Sequence, residues 1–181
     1  MDELIDILNS DGTPTGKTAM KSEAHRKGLF HPTIHVWFYT QDGRILLQQR
    51  GRNKSTFPLL WDVSVAGHIG AGEEIALAAL REVQEEIGLA IEAKDLEKIG
   101  FFKAFHSHSE TLIDREFHHS FLCELKVPLA QLRKQESEVE ALRLIPLDQF
   151  AREHGSDRYV PSSTDYYTKV VTEIQKKLQG L

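Results

Sequence analysis

The chain has 181 residues, 40% of them apolar and 27% charged, with a formal net charge of −5; this fits one folded domain with a real core. The acidic balance argues against a general nucleic-acid or membrane-surface binder, and no apolar run approaches bilayer-spanning length. The one cysteine, Cys123, excludes an internal disulfide and fits a reducing, cytoplasmic setting, and the acidic start MDELIDILNSDG lacks the basic-then-apolar order of a leader.

In chain order, residues 4–8 alternate as a strand, Asn9-Ser10-Asp11-Gly12 is a strong turn, and residues 16–20 return. This predicts an N-terminal β-hairpin extension over about residues 1–30, with Ser22 capping a short helix at 23–27 that Gly28 closes. A strand at 33–40 turns at Gln41-Asp42-Gly43 into a strand at 44–50, followed by a polar, basic loop at 51–56. Residues 57–61 lead into a strand at 62–66. Gly67, Gly70 and Gly72 relax a loop that opens a helix at 73–87, with Ala76, Ala79, Leu80, Val83 and Ile87 as its apolar stripe. Strands at 96–105 and 115–126 flank a polar loop at 107–114, and Cys123 reads as a buried strand thiol. Residues 129–136 are loop or short helix, 139–145 a strand, and 146–154 a helix. Thr164 caps a C-terminal helix to about 178–180, with Tyr167, Val170, Val171, Ile174 and Leu178 inside. No repeat or linker divides residues 1–181, so one α/β domain with a mixed sheet between helical layers is expected.

Helical spacing gathers Glu82, Glu85 and Glu86 on one face at i, i+3 and i+4. Like charges so placed repel by roughly a few tenths of a kcal/mol per pair; a merely solvated face would interleave lysines. Three converging carboxylates suit a hard divalent cation, Mg²⁺ or Mn²⁺. Such an ion neutralises a diphosphate and supplies a deprotonated water. The order Gly67, Glu73, then Arg81-Glu82-Val83-Gln84-Glu85-Glu86-Ile87-Gly88-Leu89 resembles the signature of the Nudix hydrolases at every defined position of the motif at 67–89. The resemblance implies an α/β/α sandwich with a mixed β-sheet and hydrolysis of a diphosphate linked to some group X. It also implies Glu82, Glu85 and Glu86 as metal ligands, one doubling as general base, with the carbonyl of Gly67 or Ala66 as a further ligand. Glu73 and Arg81 lie about two helical turns apart, so an ion pair can brace the loop against the helix; Arg81 can also pair with Glu85. The loop carrying Arg50, Arg52 and Lys54 faces the metal in this family, and Arg50 or Lys54 is expected to touch substrate phosphate. A solvated basic loop is the alternative.

The histidines narrow the resemblance. Lys21-Ser22-Glu23-Ala24-His25, Leu29-Phe30-His31, and Trp61 followed by Ala66-Gly67-His68 resemble isopentenyl-diphosphate isomerase, a Nudix-fold enzyme. Pro14-Thr15-Gly16, Arg50 and Lys54 match as well, over roughly the N-terminal half. In that enzyme matching histidines and later glutamates hold a metal beside an active cysteine. This makes His25, His31 and His68 a candidate second metal site, and Lys21 a substrate contact. The departures then count. The isomerase cysteine falls at Ala66, and Cys123 lies in a later strand. Isomerising an alkene needs an acid/base pair across the double bond, and one partner is missing. The isomerase also has a degenerate helix motif, whereas this chain keeps Arg81-Glu82 and Glu85-Glu86. Glu116 is the expected later carboxylate, with Asp114 second; Glu136 and Glu138 are weaker candidates for the general base. The pairs His106/His108 and His118/His119 could contact a substrate base or sugar, although nothing in the spacing requires it.

The sequence therefore predicts a Mg²⁺- or Mn²⁺-dependent pyrophosphohydrolase. It would cleave a small-molecule diphosphate, such as a nucleoside diphosphate derivative, by water attack at phosphorus. An isomerase-like enzyme and a catalytically silent diphosphate-binding sensor are the alternatives. Ala66 counts against the first, and the intact glutamates against the second. The expected partners are that small molecule and, by the habit of the family, a second copy in a homodimer, with no nucleic acid and no membrane.

Overall fold

In the computed structural model, which describes residues 2–180, the N-terminal alternation forms a hairpin of β1 (Leu4–Leu8) and β2 (Pro14–Met20). Helix α1 (Lys21–Lys27) begins earlier than expected, and Ser22 does not cap it; the Ser22 hydroxyl donates to Asp2 Oδ2 at 2.6 Å instead. Strands β3 (His31–Tyr39) and β4 (Arg44–Arg50) follow the expected hairpin. The strand expected at 62–66 is split into β5 (Trp61–Asp62), paired with β4, and β6 (Val65–His68), paired with β3. The break is local chemistry. Ser64 Oγ donates to the Leu46 carbonyl and accepts from Phe38 N, so a side chain bridges two strands where the ladder is interrupted.

Helix α2 (Ile75–Ile87) starts later than Glu73. Glu73 is drawn into the preceding loop, where it accepts from Gly70 N at 2.8 Å. The buried face of α2 is also rotated from the expected stripe. Ala78, Ala79, Val83 and Ile87 are buried together with Glu82 and Glu86, while Ala76 and Leu80 are only half-buried. Gly88 ends the helix at φ 66°, and a Cβ there would stand 2.9 Å from Arg133 Cβ, so conformation and close approach both demand glycine.

The polar loop expected at 107–114 is largely strand: β7 (Glu97–Ser109) and β8 (Leu112–Glu124) form a long hairpin joined at 110–111. Exposed and half-buried residues alternate along β7 to its end, and this half-wet pattern is compatible with a strand whose outer face is polar. Then come β9 (Val139–Pro146), α3 (Leu147–Glu153) and α4 (Thr164–Leu178). The α4 cap is Ser163, whose Oγ accepts from Tyr166 N at 3.2 Å; Thr164 is the first helical residue.

The main sheet runs β5-β4-β3-β8-β7, with β6 added to β3 and β9 to β4. Among the described residues β3 and β8 pair in parallel while the other strand pairs of this sheet are antiparallel, which makes it mixed. Alternation along β3 sends Ile34, Val36 and Phe38 toward α2, and Trp37 and Tyr39 toward α3 and α4. Burying both faces under helices gives an α/β/α sandwich. The N-terminal hairpin is tied to the loop before α2: Ala71 N donates to the Leu4 carbonyl and Gly72 N to Asp6 Oδ2, each at 2.9 Å. Among the described residues no helix is long and apolar enough to cross a membrane.

Candidate metal and phosphate site

Strand register assembles the site. Across β3 and β8, His31 stands opposite Glu116, Thr33 opposite His118 and His35 opposite Ser120. Across β3 and β6, Thr33 faces His68 and His35 faces Ala66. Alternate residues share a face, so these side chains line one side of the sheet, and α1 contributes His25. One ligand atom from each of His25, His31, His68 and Glu116 lies within 4.8 Å of the others. The Nε2 atom of all three histidines is buried without a hydrogen-bond partner. A buried orphan of this kind costs about 1–3 kcal/mol. Three of them converging on a carboxylate fit a divalent metal ion, for which neutral imidazole and carboxylate are ordinary ligands.

The electrostatics agree with that use. Burial alone would raise the Glu116 carboxyl, but the His31 ring 3.6 Å away and the nearby His118 hold it well below the usual carboxylate range. Burial would likewise lower His31, and Glu116 more than offsets it, so His31 is raised. Burial depresses His68 strongly, and it depresses His25 with help from His31. His31 Nδ1–H donates to the Leu29 carbonyl at 2.9 Å, the kind of second bond that aims the other nitrogen of a ligating ring. Asp114 stands beside the cluster, 3.8 Å from His25 Nε2 and 2.9 Å from His108 Nε2.

The acidic helix abuts this cleft from the other side of β6. Glu86 Oε2 accepts from Gln48 Nε2 at 2.8 Å and from Ala66 N at 3.2 Å. Burial raises the Glu82 carboxyl and pushes that of Glu86 up to about 8. Glu85 is exposed, so the three carboxylates are not equivalent. Arg81 clasps both Glu73 oxygens at 2.9 Å, the His68 carbonyl at 3.0 Å, Glu82 Oε1 at 2.6 Å and Glu85 at 3.4 Å. It thereby ties the glycine loop, β6 and the helix together. Gly67 permits the approach of helix and strand, because a Cβ there would lie 2.1 Å from Glu82 Cδ. Gly67→Ala is expected to displace Glu82 and to destabilise the fold by about 1–3 kcal/mol through overpacking. Thermal unfolding would register this as roughly 2–4 °C per kcal/mol.

Lys21, Arg50 and Lys54 all line the same cleft, of about 190 Å³. Each has a protein partner. Lys21 lies 3.8 Å from Glu3, and Lys54 pairs with Glu138. Arg50 is more committed, donating to the Thr56 carbonyl, Thr56 Oγ1 and Asp62 Oδ2 at 3.0–3.1 Å. Glu136, exposed, pairs with Lys134 outside the cleft lining, and Arg52 pairs with Glu140. Cys123 is buried in the core under α2 with its thiol pushed up to about 12 by burial, so it offers no thiolate. Thr33, His35, Asp62, His106, His118 and Tyr166 also line the cleft, and His106 and His108 both pack against Phe57. The signal for the buried members was available: His31, Thr33 and His35 put polar residues at period two in a strand that is otherwise apolar.

A mixed-sheet α/β/α sandwich, with an acidic helix braced by Glu73 and Arg81 against a histidine–carboxylate cleft, is the frame of enzymes that hydrolyse phosphorus-containing anhydrides. The chain belongs to the Nudix hydrolases among them, and the NUDIX domain model matches residues 29–163. It is 31% identical over 185 residues to Nudix hydrolase 3 of Arabidopsis thaliana, an alignment covering 98% of this chain but 24% of that protein, so the chain spans about a quarter of that relative. It is 33% identical over 122 residues to an isopentenyl-diphosphate Delta-isomerase of Serratia proteamaculans, covering 67% of this chain and 66% of that one. The MutT NUDIX hydrolase structure from Burkholderia pseudomallei shares the fold with a TM-score of 0.57 at 20% identity, covering 80% of this chain and 96% of that one.

Proposed function

We propose that the chain hydrolyses a diphosphate linkage in a nucleoside diphosphate derivative or similar small molecule, by water attack at phosphorus. The observation that carries this reading is the complete carboxylate set: Glu82 and Glu86 are buried against Ala66 and Gly67, with Glu85 beside them on the helix. Glu82, Glu85, Glu86 and the Gly67 carbonyl would hold Mg²⁺ or Mn²⁺, and His25, His31, His68 and Glu116 would hold a second ion. Oxygen-rich donors suit either metal, while the imidazole-rich tetrad suits a transition-metal ion, of which Mn²⁺ serves both. A divalent ion so bound supplies charge neutralisation on the diphosphate and acidifies water. The chain's residues do the rest. Lys21, Arg50 and Lys54 would exchange their acidic partners for phosphate oxygens; Glu82, Glu85 or Glu86 would accept the water proton; Glu73 and Arg81 would keep that helix in place.

The cluster of three histidines and Glu116 also supports an isomerase-like reading, in keeping with the Serratia relative. Ala66 and the un-ionised Cys123 weigh against it, because no thiol reaches the cleft. The test is a turnover screen with Mg²⁺ and with Mn²⁺ over nucleoside di- and triphosphates, nucleotide sugars, dinucleotides and prenyl diphosphates. Metal-dependent release of phosphate products is expected. Conversion of isopentenyl to dimethylallyl diphosphate would favour the isomerase instead, and tight binding without turnover would favour a sensor.

A further inference from the structure

His35 is absorbed by none of the roles above, yet its surroundings fix where its proton sits. Its Nδ1 stands 2.7 Å from the Tyr166 hydroxyl, which reaches it from α4. The same hydroxyl receives Trp37 Nε1 at 2.8 Å and Ser120 Oγ at 3.1 Å. An indole N–H can only donate, and a phenol has two lone pairs and one hydrogen. With Trp37 and Ser120 donating, the phenolic hydrogen is left for His35 Nδ1. Nδ1 therefore accepts, and the ring proton lies on Nε2.

Among the described residues that Nε2–H has no partner, and it is not sealed from solvent, so it opens on the cleft that His35 lines. The ring cannot turn away. It stacks on His118 with centroids 3.9 Å apart at 18°, and Thr33 Oγ1 holds His118 Nδ1 at 2.7 Å. Burial keeps the imidazole neutral, pushed down to about 4, so the donor is unchanged through neutral pH. Among the described residues no carboxylate accepts from it, and Lys21, Arg50 and Lys54 line the same cleft.

We infer that His35, held as the Nε2–H tautomer by Tyr166, donates a hydrogen bond to a phosphate oxygen of the substrate, with Tyr166 as its positioning residue. This rests on the reading of the cleft as a diphosphate site. A neutral imidazole so placed adds direction to the field of Lys21, Arg50 and Lys54 without adding charge, as a fixed donor aimed at developing oxyanion character does.

The test is ¹⁵N-histidine NMR on the full chain with Mg²⁺, using inorganic pyrophosphate as probe. Between pH 6 and 8 His35 should show a protonated Nε2 and a bare Nδ1; the reverse pattern overturns the assignment. Tyr166→Phe should mix the two tautomers, and an unchanged pattern removes Tyr166 from the role. Saturating pyrophosphate should shift His35 Nε2. His35→Asn, which keeps an acceptor for Tyr166 but loses the cleft donor, should weaken pyrophosphate roughly three- to tenfold. His35→Gln, which returns an N–H near the Nε2 position, should recover most of that loss. Pyrophosphate that binds without moving His35, or that binds the Asn variant as tightly as the wild type, overturns the contact alone. Failure of the wild type to bind pyrophosphate overturns both the contact and the diphosphate reading.

Discussion

Replacing Glu86 with glutamine is expected to lower turnover by roughly 10²–10⁴-fold, the range for losing a general base, and to leave the fold intact. The two side chains have the same shape, and a glutamine carbonyl can still accept from Gln48 Nε2 and Ala66 N, the two donors that now hold Glu86. What is lost is the negative charge. Steady-state kinetics beside thermal melting would separate these effects, and near-wild-type turnover in both Glu86→Gln and Glu85→Gln would remove the acidic helix from the chemistry. A pH dependence accompanies the change. Burial raises the Glu86 carboxyl from 4.5 to about 8, so the folded state favours the protonated form. In chelator-treated protein its contribution is therefore fully present below about 4.5 and is lost as pH rises toward about 8. The Glu86→Gln variant should lack that decline, and a divalent ion should cancel it in the wild type by stabilising the carboxylate. Melting temperatures across that pH interval, with and without Mg²⁺, would read both effects.

The second large effect is expected at the tetrad. His31→Ala should weaken Mn²⁺ binding by more than the roughly 10–100-fold that follows loss of a mere supporting partner, because it deletes a ligand atom. In the metal-free protein His31 is raised above 6.5: burial opposes the charged ring, and Glu116 outweighs it. A metal needs the unprotonated nitrogen. Binding should accordingly release a proton near neutral pH and weaken as pH falls through the titration of His31. Calorimetry in buffers of different ionisation heat would count the proton, and Mn²⁺ titration would give the affinity. A pH-independent affinity, equal in wild type and His31→Ala, would exclude the tetrad as a metal site.

Much of this molecule could be read before it was seen, and the division follows the range of the interactions. The sequence by itself determined the strand-and-helix order, the sandwich class and the Nudix family, because hydrophobic period, turn residues and the run Gly67 to Leu89 are all local signals. It also picked out the Glu73–Arg81 pair, whose spacing along one short segment limits where the two can meet. Helix ends and strand breaks depended on distant partners. Asp2 takes the hydroxyl of Ser22, and Leu46 takes that of Ser64. The buried face of α2 turned out to include Glu82 and Glu86 because Gly67 lets the helix approach β6, and no periodicity of the helix alone records a missing side chain on another strand. Only the tertiary structure decided that Glu116 belongs with His25, His31 and His68, since parallel pairing of β3 with β8 sets residues more than eighty positions apart side by side. The same register, joined by a hydroxyl from α4, fixed the tautomer of His35. Which atom carries that proton is set by how two donors and one acceptor share a single hydroxyl, and that is a property of assembled geometry.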